Sequence, residues 1–185
     1  RAKYARFSGT GVARDFVEAP SQMLENWVWR PEVLPDLSGH YSDSSRKLPK
    51  ETLDRMLAAK NVDSGLRYLR QVFFATFDLD IHQKPGLDTT AHYAALREEL
   101  TLIPMTPGTR PQASFGHLMG GYESSYYGYL WSEVYAQDMF TRFEKAGVLN
   151  PVIGREYRRR ILEPGGGMEE GISLRLFLGR EPNEE

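Results

Sequence analysis

The chain contains no cysteine, which excludes disulfide bonds, thiolate metal ligands and a cysteine nucleophile. It has no apolar run near the roughly 20 residues that a transmembrane helix needs. Positive and negative charges almost cancel, because the chain has 23 Lys and Arg and 25 Asp and Glu, which gives a formal net charge of −2. We therefore expect neither a nucleic acid nor a membrane as partner. A cysteine-free chain fits a reducing compartment, so we expect a cytoplasmic protein.

What is present is the composition of an ordinary globular protein. Hydrophobic residues make up 41% and charged residues 26% of the 185, which predicts a single unit over residues 1–185 with a core of its own. The first residue is not methionine, and the residues after it lack the apolar core of a signal peptide. We expect the chain to begin inside a longer polypeptide or after processing.

Apolar residues recur every three or four positions along most of the chain, and this spacing predicts α-helices. The predicted helices cover residues 15–29, 49–60, 63–82, 88–100, 124–145, 150–161 and 168–178. Proline and glycine separate them, above all in a loop at 103–112 and a break at 164–167. No alternating pattern of useful length predicts a strand. The predicted fold class is therefore all-α, with a frayed tail at residues 180–185.

Two carboxylates stand at the predicted start of the first helix. Asp15 and Glu18 are three residues apart, which is the spacing of a capping box. The other interpretation is a metal site, in which Glu18 is a ligand and Asp15 orients another ligand. The four histidines include no pair four residues apart, so the residues alone do not complete a zinc site. Both interpretations stay open at this point.

A second polar group lies within and after a glycine-rich stretch, and its members are Gly116, His117, Gly120, Gly121, Tyr122, Tyr126 and Tyr129. The three tyrosines share one helix face if the helix that follows begins early. One interpretation is an aromatic core face behind a loop, since burial of rings stabilises a core. The other is a substrate site, in which imidazole and phenol donors hold a carbonyl or a developing oxyanion. The glycines would then let the loop close over a substrate or bring backbone close to it.

Several long motifs in this order resemble one known family. They are FSGT at 7–10, RDFVEAPSQMLENW at 14–27, FGHLMGGY at 115–122, YYGYLWSEVY at 126–135, DMF at 138–140, GVL at 147–149, ILEPGG at 161–166 and FLGR at 177–180. They span nearly the whole chain. Together they are similar to the thimet oligopeptidase and neurolysin family of zinc metallopeptidases, which includes bacterial oligopeptidase A.

The resemblance implies a helical protein with two lobes around a deep, narrow channel that admits only short peptides. Glu18 matches the third zinc ligand of that family, and Asp15 matches an acidic neighbour that supports a ligand histidine. The group that matches the family's substrate-binding and oxyanion-assisting side chains comprises His117, Tyr122, Tyr126 and Tyr129. The segment that matches a flexible loop over the channel contains Gly116, Gly120 and Gly121.

One departure from the family pattern is large. The family carries a His-Glu-x-x-His helix just before the stretch that starts at Phe7, and this sequence has no such motif. That motif supplies two zinc ligands and the general base. The resemblance therefore implies the C-terminal part of a zincin-type catalytic domain, with one zinc ion in the parent protein and one of its ligands here. Gly11 and Ala13 also differ from the His and Glu that animal members usually show.

We therefore expect a parent enzyme that hydrolyses short peptides, and an isolated 185-residue chain without peptidase activity. Its expected partners are short peptides and the N-terminal part of the same protein, with self-association through apolar surface as an alternative. The competing hypothesis is a helical interaction module that derives from such a peptidase and is not catalytic.

Overall fold

The computed structural model describes residues 2–183, and the prediction of an all-α fold is confirmed. Over these residues the chain forms no β-strand, and its one β-type pairing is an isolated bridge between His40 and Asp43. The α-helices of this part of the chain are α1 (Ala19–Glu25), α2 (Leu34–Leu37), α3 (Lys50–Ala58), α4 (Ser64–Gln83), α5 (Thr89–Thr101), α6 (Gly128–Ala146), α7 (Pro151–Tyr157) and α8 (Glu170–Leu178).

Short helical turns join several of these helices. Turns of 3-10 type lie at Ala5–Phe7, Asn26–Trp29, Pro111–Ser114, Gly116–Met119 and Gly165–Gly167. A π-helical turn, Arg158–Leu162, continues α7. Between residues 2 and 183, each helix is too short or too polar to cross a bilayer.

The chain divides into two compact units, and each has its own core. The first unit comprises residues 2–13, 17–62 and 132–183 of the described chain, and the second comprises residues 14–16 and 63–131. The expectation of one helical unit over residues 1–185 stays a prediction.

Trp27 organises the core of the first unit. Its ring meets the rings of Phe140 and Phe143 edge-on, each at 4.9 Å between centroids. Its Nε1–H donates a hydrogen bond of 2.9 Å to the carbonyl oxygen of Val148. The large side chains that are buried in this unit include Met23, Met139, Ile153, Tyr157, Leu174 and Phe177. Side chains from α1, α6, α7 and α8 thus share one apolar interior.

The second unit is built on helices α4 and α5, which pack against each other and are joined by a short turn at residues 84–88. Phe73 and Phe77 of α4 contact Tyr93 of α5 edge-on, at 4.8 and 5.1 Å between ring centroids. Leu96 and Leu118 complete the buried cluster. Phe74 and Phe115 pack against it, so the core extends towards the stretch that contains His117.

Local capping signals locate several helix ends correctly. The side chain of Asp88 accepts hydrogen bonds from the N–H groups of Thr90 and Ala91 at the start of α5. Asn150 caps α7 in the same way. Gly179 follows α8 with φ at +74°, a left-handed conformation that glycine adopts without steric cost.

The prediction of a frayed tail is wrong for residues 180–183. The guanidinium of Arg180 donates to both oxygens of Asp138, and the N–H of Asn183 donates to Asp138 Oδ2 at 3.0 Å. Asp138 is buried, so these donors replace the water that the carboxylate has lost. Residues 184 and 185 of that prediction lie outside the described part of the chain.

Candidate functional site

The predicted capping box at Asp15 and Glu18 is not formed, because α1 begins at Ala19 rather than at residue 15. Residues 14–18 are turns, and Glu18 occupies the N-cap position without a capping hydrogen bond from its side chain. Pro20 explains the later start. A proline is tolerated within the first turn of a helix, whereas deeper in the helix its ring clashes with the preceding carbonyl.

The segment that precedes Glu18 is held closely by backbone of the first unit. A Cβ added at Gly165 would lie 1.9 Å from the carbonyl oxygen of Phe7. At Gly166 it would lie 2.0 Å from the carbonyl oxygen of Gly11. These approaches require glycine at both positions. The break predicted at residues 164–167 is therefore also a packing surface for the N-terminal segment.

His117 and the three predicted tyrosines lie together in the second unit, and we call them the His–Tyr cluster. His117 Nε2 and Tyr129 Oη are 3.1 Å apart and share a hydrogen bond. The rings of Tyr122 and Tyr129 stack at 5.1 Å between centroids, and Tyr126 lies 5.0 Å from Tyr129. The imidazole meets all three phenol rings edge-on at 5.4 to 5.7 Å. Four polar-tipped rings thus form one contiguous group.

The tyrosines reach this arrangement without sharing one helix face. The helix was predicted from residue 124, but α6 begins at Gly128 and residues 123–127 form turns. Ser124 has a φ of +55°, which is left-handed and interrupts an α-helix. The N–H groups of Ser124 and Tyr126 donate to the carboxylate of Asp78, at 3.1 and 3.0 Å. A side chain of α4 therefore takes the place of the helical carbonyl acceptors.

Gly128 brings the start of α6 close to the residues around Asp15. A Cβ at Gly128 would lie 2.7 Å from the carbonyl oxygen of Arg14 and 3.1 Å from the Cα of Asp15. Both are backbone atoms, so a larger residue would force the two segments apart. Asp15 thus belongs to the same unit as the His–Tyr cluster, next to the first turn of α6.

The glycines of the predicted substrate loop differ in the space around them and in their backbone conformation. Gly116 opens the 3-10 turn, and a Cβ at Gly120 would lie 2.6 Å from the Gly116 carbonyl oxygen. Gly121 has a φ of +101°, and its N–H donates to the carboxylate of Glu123 at 3.1 Å. Its missing side chain leaves room for Arg14, whose Nη2 would lie 3.3 Å from a Cβ. Glycine is therefore required for steric reasons at positions 120 and 121, whereas a Cβ at Gly116 would meet no atom within 4 Å.

Burial and neighbouring groups shift the pKa of two side chains, Tyr126 in the His–Tyr cluster and Glu123 beside it. Burial, reinforced by neighbouring Tyr129, raises the pKa of Tyr126 from 10.0 to about 12. Tyr126 is therefore a neutral phenol at physiological pH and can donate a proton in a hydrogen bond. The pKa of the Glu123 carboxyl is lowered, first by its own N–H and that of Gly121 and then by the charges of His82 and Arg14.

Two residues near the cluster were missed by the sequence analysis. The Arg14 guanidinium lies over the ring of Tyr122, 5.1 Å from its centroid, in a cation–π contact. Asp78 is fully buried in α4. A sequence signal for Asp78 did exist, because it stands four residues after Phe74 and three before Ile81, on the apolar side of the helix. A carboxylate at such a position needs hydrogen-bond donors.

The residues of the described chain do not fit a complete zinc site. No group of three or more His, Cys, Asp or Glu residues suited to a metal ion occurs between residues 2 and 183. Glu18 is a half-buried carboxylate of the first unit, and the hydroxyl of Ser21 lies 3.3 Å from its Oε2. A carboxylate can bind zinc, but structural and catalytic sites use at least three protein ligands.

A surface depression of the first unit contains none of the predicted site residues. Its lining consists of Ser38, Gly39, His40, Arg46, Lys47, Leu48 and Pro49. The chemistry that the sequence predicts is therefore not located in this depression.

Comparison with known proteins identifies the family. The model of peptidase family M3 matches residues 1–185. The thimet-like oligopeptidase of Dictyostelium discoideum is 44% identical over all of this chain, which covers 28% of that relative. Oligopeptidase A of Escherichia coli (strain K12) is 41% identical over 98% of the chain, again 28% of the relative. Saccharolysin of Saccharomyces cerevisiae is 41% identical over 99% of the chain and 26% of the relative.

The chain thus spans 26% to 28% of the length of these relatives. The resemblance to the thimet oligopeptidase family that its motifs indicated is confirmed. Because the family model matches from the first residue to the last, the chain belongs to peptidase family M3.

Proposed function

We propose that this chain is part of a zinc-dependent metallo-oligopeptidase that hydrolyses short peptides. The observation that carries the proposal is the His–Tyr cluster, in which an imidazole and three phenols converge within a member of peptidase family M3. Membership of the family supports peptide hydrolysis, and the cluster supports a role for this segment in it. Short peptides are the proposed substrates.

The proposed role of the cluster is to bind the substrate and stabilise the tetrahedral intermediate. Removal of one hydrogen-bond donor from an oxyanion site commonly lowers kcat by about 10² to 10³. Tyr126 keeps its proton at neutral pH because its pKa is about 12. The hydrogen bond between His117 Nε2 and Tyr129 Oη fixes the mutual orientation of these two groups. Orientation of this kind is what allows donors to act without reorganising during the reaction.

The proposed zinc ion would polarise the scissile carbonyl and lower the pKa of a bound water. Glu18 is the proposed ligand from this chain, and Asp15 is proposed to orient a ligand that this chain does not supply. The other ligands would come from outside these 185 residues, since the described residues hold no cluster able to bind a metal. We therefore predict no peptidase activity for the isolated chain. The absence of cysteine from this chain supports a cytoplasmic location for the parent protein.

The test uses the full-length protein and a quenched fluorescent peptide. Cleavage should be abolished by a chelator and restored by added zinc, while the isolated chain should remain inactive under the same conditions. Chelator-resistant cleavage would contradict the role of zinc. A folded full-length protein that cleaves no peptide would favour the alternative, a non-catalytic helical interaction module.

A further inference from the structure

Asp78 is a carboxylate in the interior of the second unit, with no exposed surface. It lies inside α4, five residues before the end of that helix at Gln83, so it does not cap a helix terminus. A carboxylate in such a place is unfavourable unless donors replace its lost water. The hydrogen-bond donors to Asp78 should therefore explain why a carboxylate occupies this buried position.

The donors to Asp78 come mainly from the segment that carries the tyrosines. Oδ1 accepts the N–H of Ser124 at 3.1 Å, and Oδ2 accepts the N–H of Tyr126 at 3.0 Å. Nδ1 of His82, one turn along α4, lies 3.1 Å from Oδ1 and 2.7 Å from the carbonyl oxygen of Asp78. Both carboxylate oxygens are thus used, and two of the three donors are backbone groups beside Tyr126.

The segment around Ser124 forms turns of its own, in which the N–H of Ser125 donates to the Tyr122 carbonyl oxygen at 2.8 Å and the N–H of Gly128 donates to the Ser125 carbonyl oxygen at 2.9 Å. It follows Gly120 and Gly121, and it precedes the first turn of α6. Ser124 adopts a left-handed φ of +55°, which is unfavourable for a residue with a side chain. A conformation of this kind persists when surrounding groups determine it. The N–H groups on either side of Ser125 donate to Asp78, and these two hydrogen bonds anchor the turns to α4.

We propose that Asp78 is a positioning residue for the His–Tyr cluster: its buried carboxylate fixes the turn at Ser124 and Tyr126, and so places the Tyr126 and Tyr129 rings against His117. The proposal deepens the proposed peptidase function and rests on it for the kinetic consequence. Asp78 touches no reacting group in this account. It acts through the backbone that carries the phenols.

The informative variant is Asp78→Asn in the full-length protein. The amide keeps one acceptor oxygen and presents an NH2 group where the other oxygen was. In one orientation that group faces the N–H of Tyr126, and in the other it faces Ser124 N–H and His82. Either way one donor opposes another, and the turn loses a contact. Asp138→Asn is the matched control, since Asp138 is also buried and also accepts a backbone N–H, from Asn183.

Two measurements test the proposal. Hydrogen–deuterium exchange of the peptide that contains Ser124 and Tyr126 should be slow in the wild type and fast in Asp78→Asn, with α5 unchanged. In peptide cleavage, a displacement of donors by about 1 Å lowers the rate by roughly 10- to 100-fold, so kcat should fall by that factor while KM changes little. Asp138→Asn should leave both measurements unchanged at a temperature where it is folded.

A double-mutant cycle separates positioning from a loss of general stability. Because Asp78 acts through the phenols, Asp78→Asn should lower kcat much less in a Tyr129→Phe background than in the wild type. Independent, multiplicative effects of the two substitutions would overturn the proposal. Unchanged exchange of the 124–126 amides in Asp78→Asn would overturn it as well.

The test still gives an answer if the variant does not fold or if the wild type is inactive. If Asp78→Asn does not fold, the wild-type exchange rate alone decides: fast exchange of the Ser124 and Tyr126 amides contradicts the proposal and slow exchange supports it. If the wild type cleaves no peptide, the proposed function fails, and exchange in Asp78→Asn then decides whether Asp78 holds the cluster in place.

Discussion

The ionisation of Tyr126 offers a quantitative check on the environment of the His–Tyr cluster. Tyr126 is 8% exposed and packs against the rings of Phe74 and Phe115 as well as those of the cluster. Burial disfavours the phenolate, and the pKa rises from 10.0 to about 12. The experiment raises the pH and compares the wild type with Tyr126→Phe, a variant that lacks the titrating hydroxyl.

The magnitude follows from linkage between protonation and folding. The rise of the Tyr126 pKa from 10.0 to about 12 corresponds to about 2.7 kcal/mol of preference for the neutral form in the folded protein. Since the folded pKa is the higher one, this contribution is fully present below pH 10 and is lost as the pH rises towards 12. Between those values the wild type should lose up to about 2.7 kcal/mol of unfolding free energy relative to Tyr126→Phe.

The assay is a spectroscopic titration of tyrosinate absorbance, taken as the difference between the wild type and Tyr126→Phe. Other titrating groups cancel in this difference, which should show one transition near pH 12. Tyr41→Phe is the control, because Tyr41 is 96% exposed and lies outside the cluster. A transition of Tyr126 near pH 10 would contradict the buried environment of Tyr126, since it would mean that water reaches the phenol.

Three substitutions test the tail, the surroundings of the site and the core of the first unit. Arg180→Met removes the cation that binds Asp138, and we expect chemical denaturation to show a loss of about 2–3 kcal/mol in the free energy of unfolding. This loss is smaller than for a fully buried ion pair, because the Arg180 side chain is 40% exposed. Gly128→Ala should destabilise by about 1–3 kcal/mol, because its Cβ would lie 2.7 Å from the Arg14 carbonyl oxygen; an unchanged melting temperature would contradict that approach. Tyr157→Phe should leave stability unchanged or raise it by up to about 1 kcal/mol, since the buried Tyr157 hydroxyl has no hydrogen-bond partner in the described structure; a marked loss would reveal a partner.

Helix ends that depend on neighbouring residues were predictable from the sequence. The Asp88 and Asn150 caps bind N–H groups two and three residues ahead, so the information lies within one turn. The left-handed residue at Gly179 is equally local. Apolar periodicity located α4, α5 and α6 within a few residues for the same reason, because each helix buries one face.

The two wrong helix starts have different causes. At α1 the predicted capping pattern of Asp15 and Glu18 competes with Pro20, and the proline decides the position of the helix start. At α6 the decisive partner is Asp78, which lies 46 residues before Ser124. Periodicity and propensity describe short windows of sequence, so they contain no information about an acceptor that distant.

The candidate site was predictable only in part. The resemblance named the four members of the His–Tyr cluster, and the structure brings these four side chains together. Spacing alone suggested a shared helix face, whereas turns at 123–127 produce the cluster. The cation–π contact of Arg14 with Tyr122 depends on how two segments that are distant in sequence pack together, so no local sequence pattern predicts it.

The zinc content and activity of the full-length protein with Glu18→Ala test the central proposal most directly. Glu25→Ala is the matched control, since Glu25 is an exposed carboxylate at the other end of α1. We predict that the wild type and Glu25→Ala bind one zinc ion per chain and cleave the peptide, whereas Glu18→Ala binds zinc weakly and has lost cleavage. Full zinc occupancy and wild-type kcat in Glu18→Ala would contradict the assignment of Glu18 as a zinc ligand.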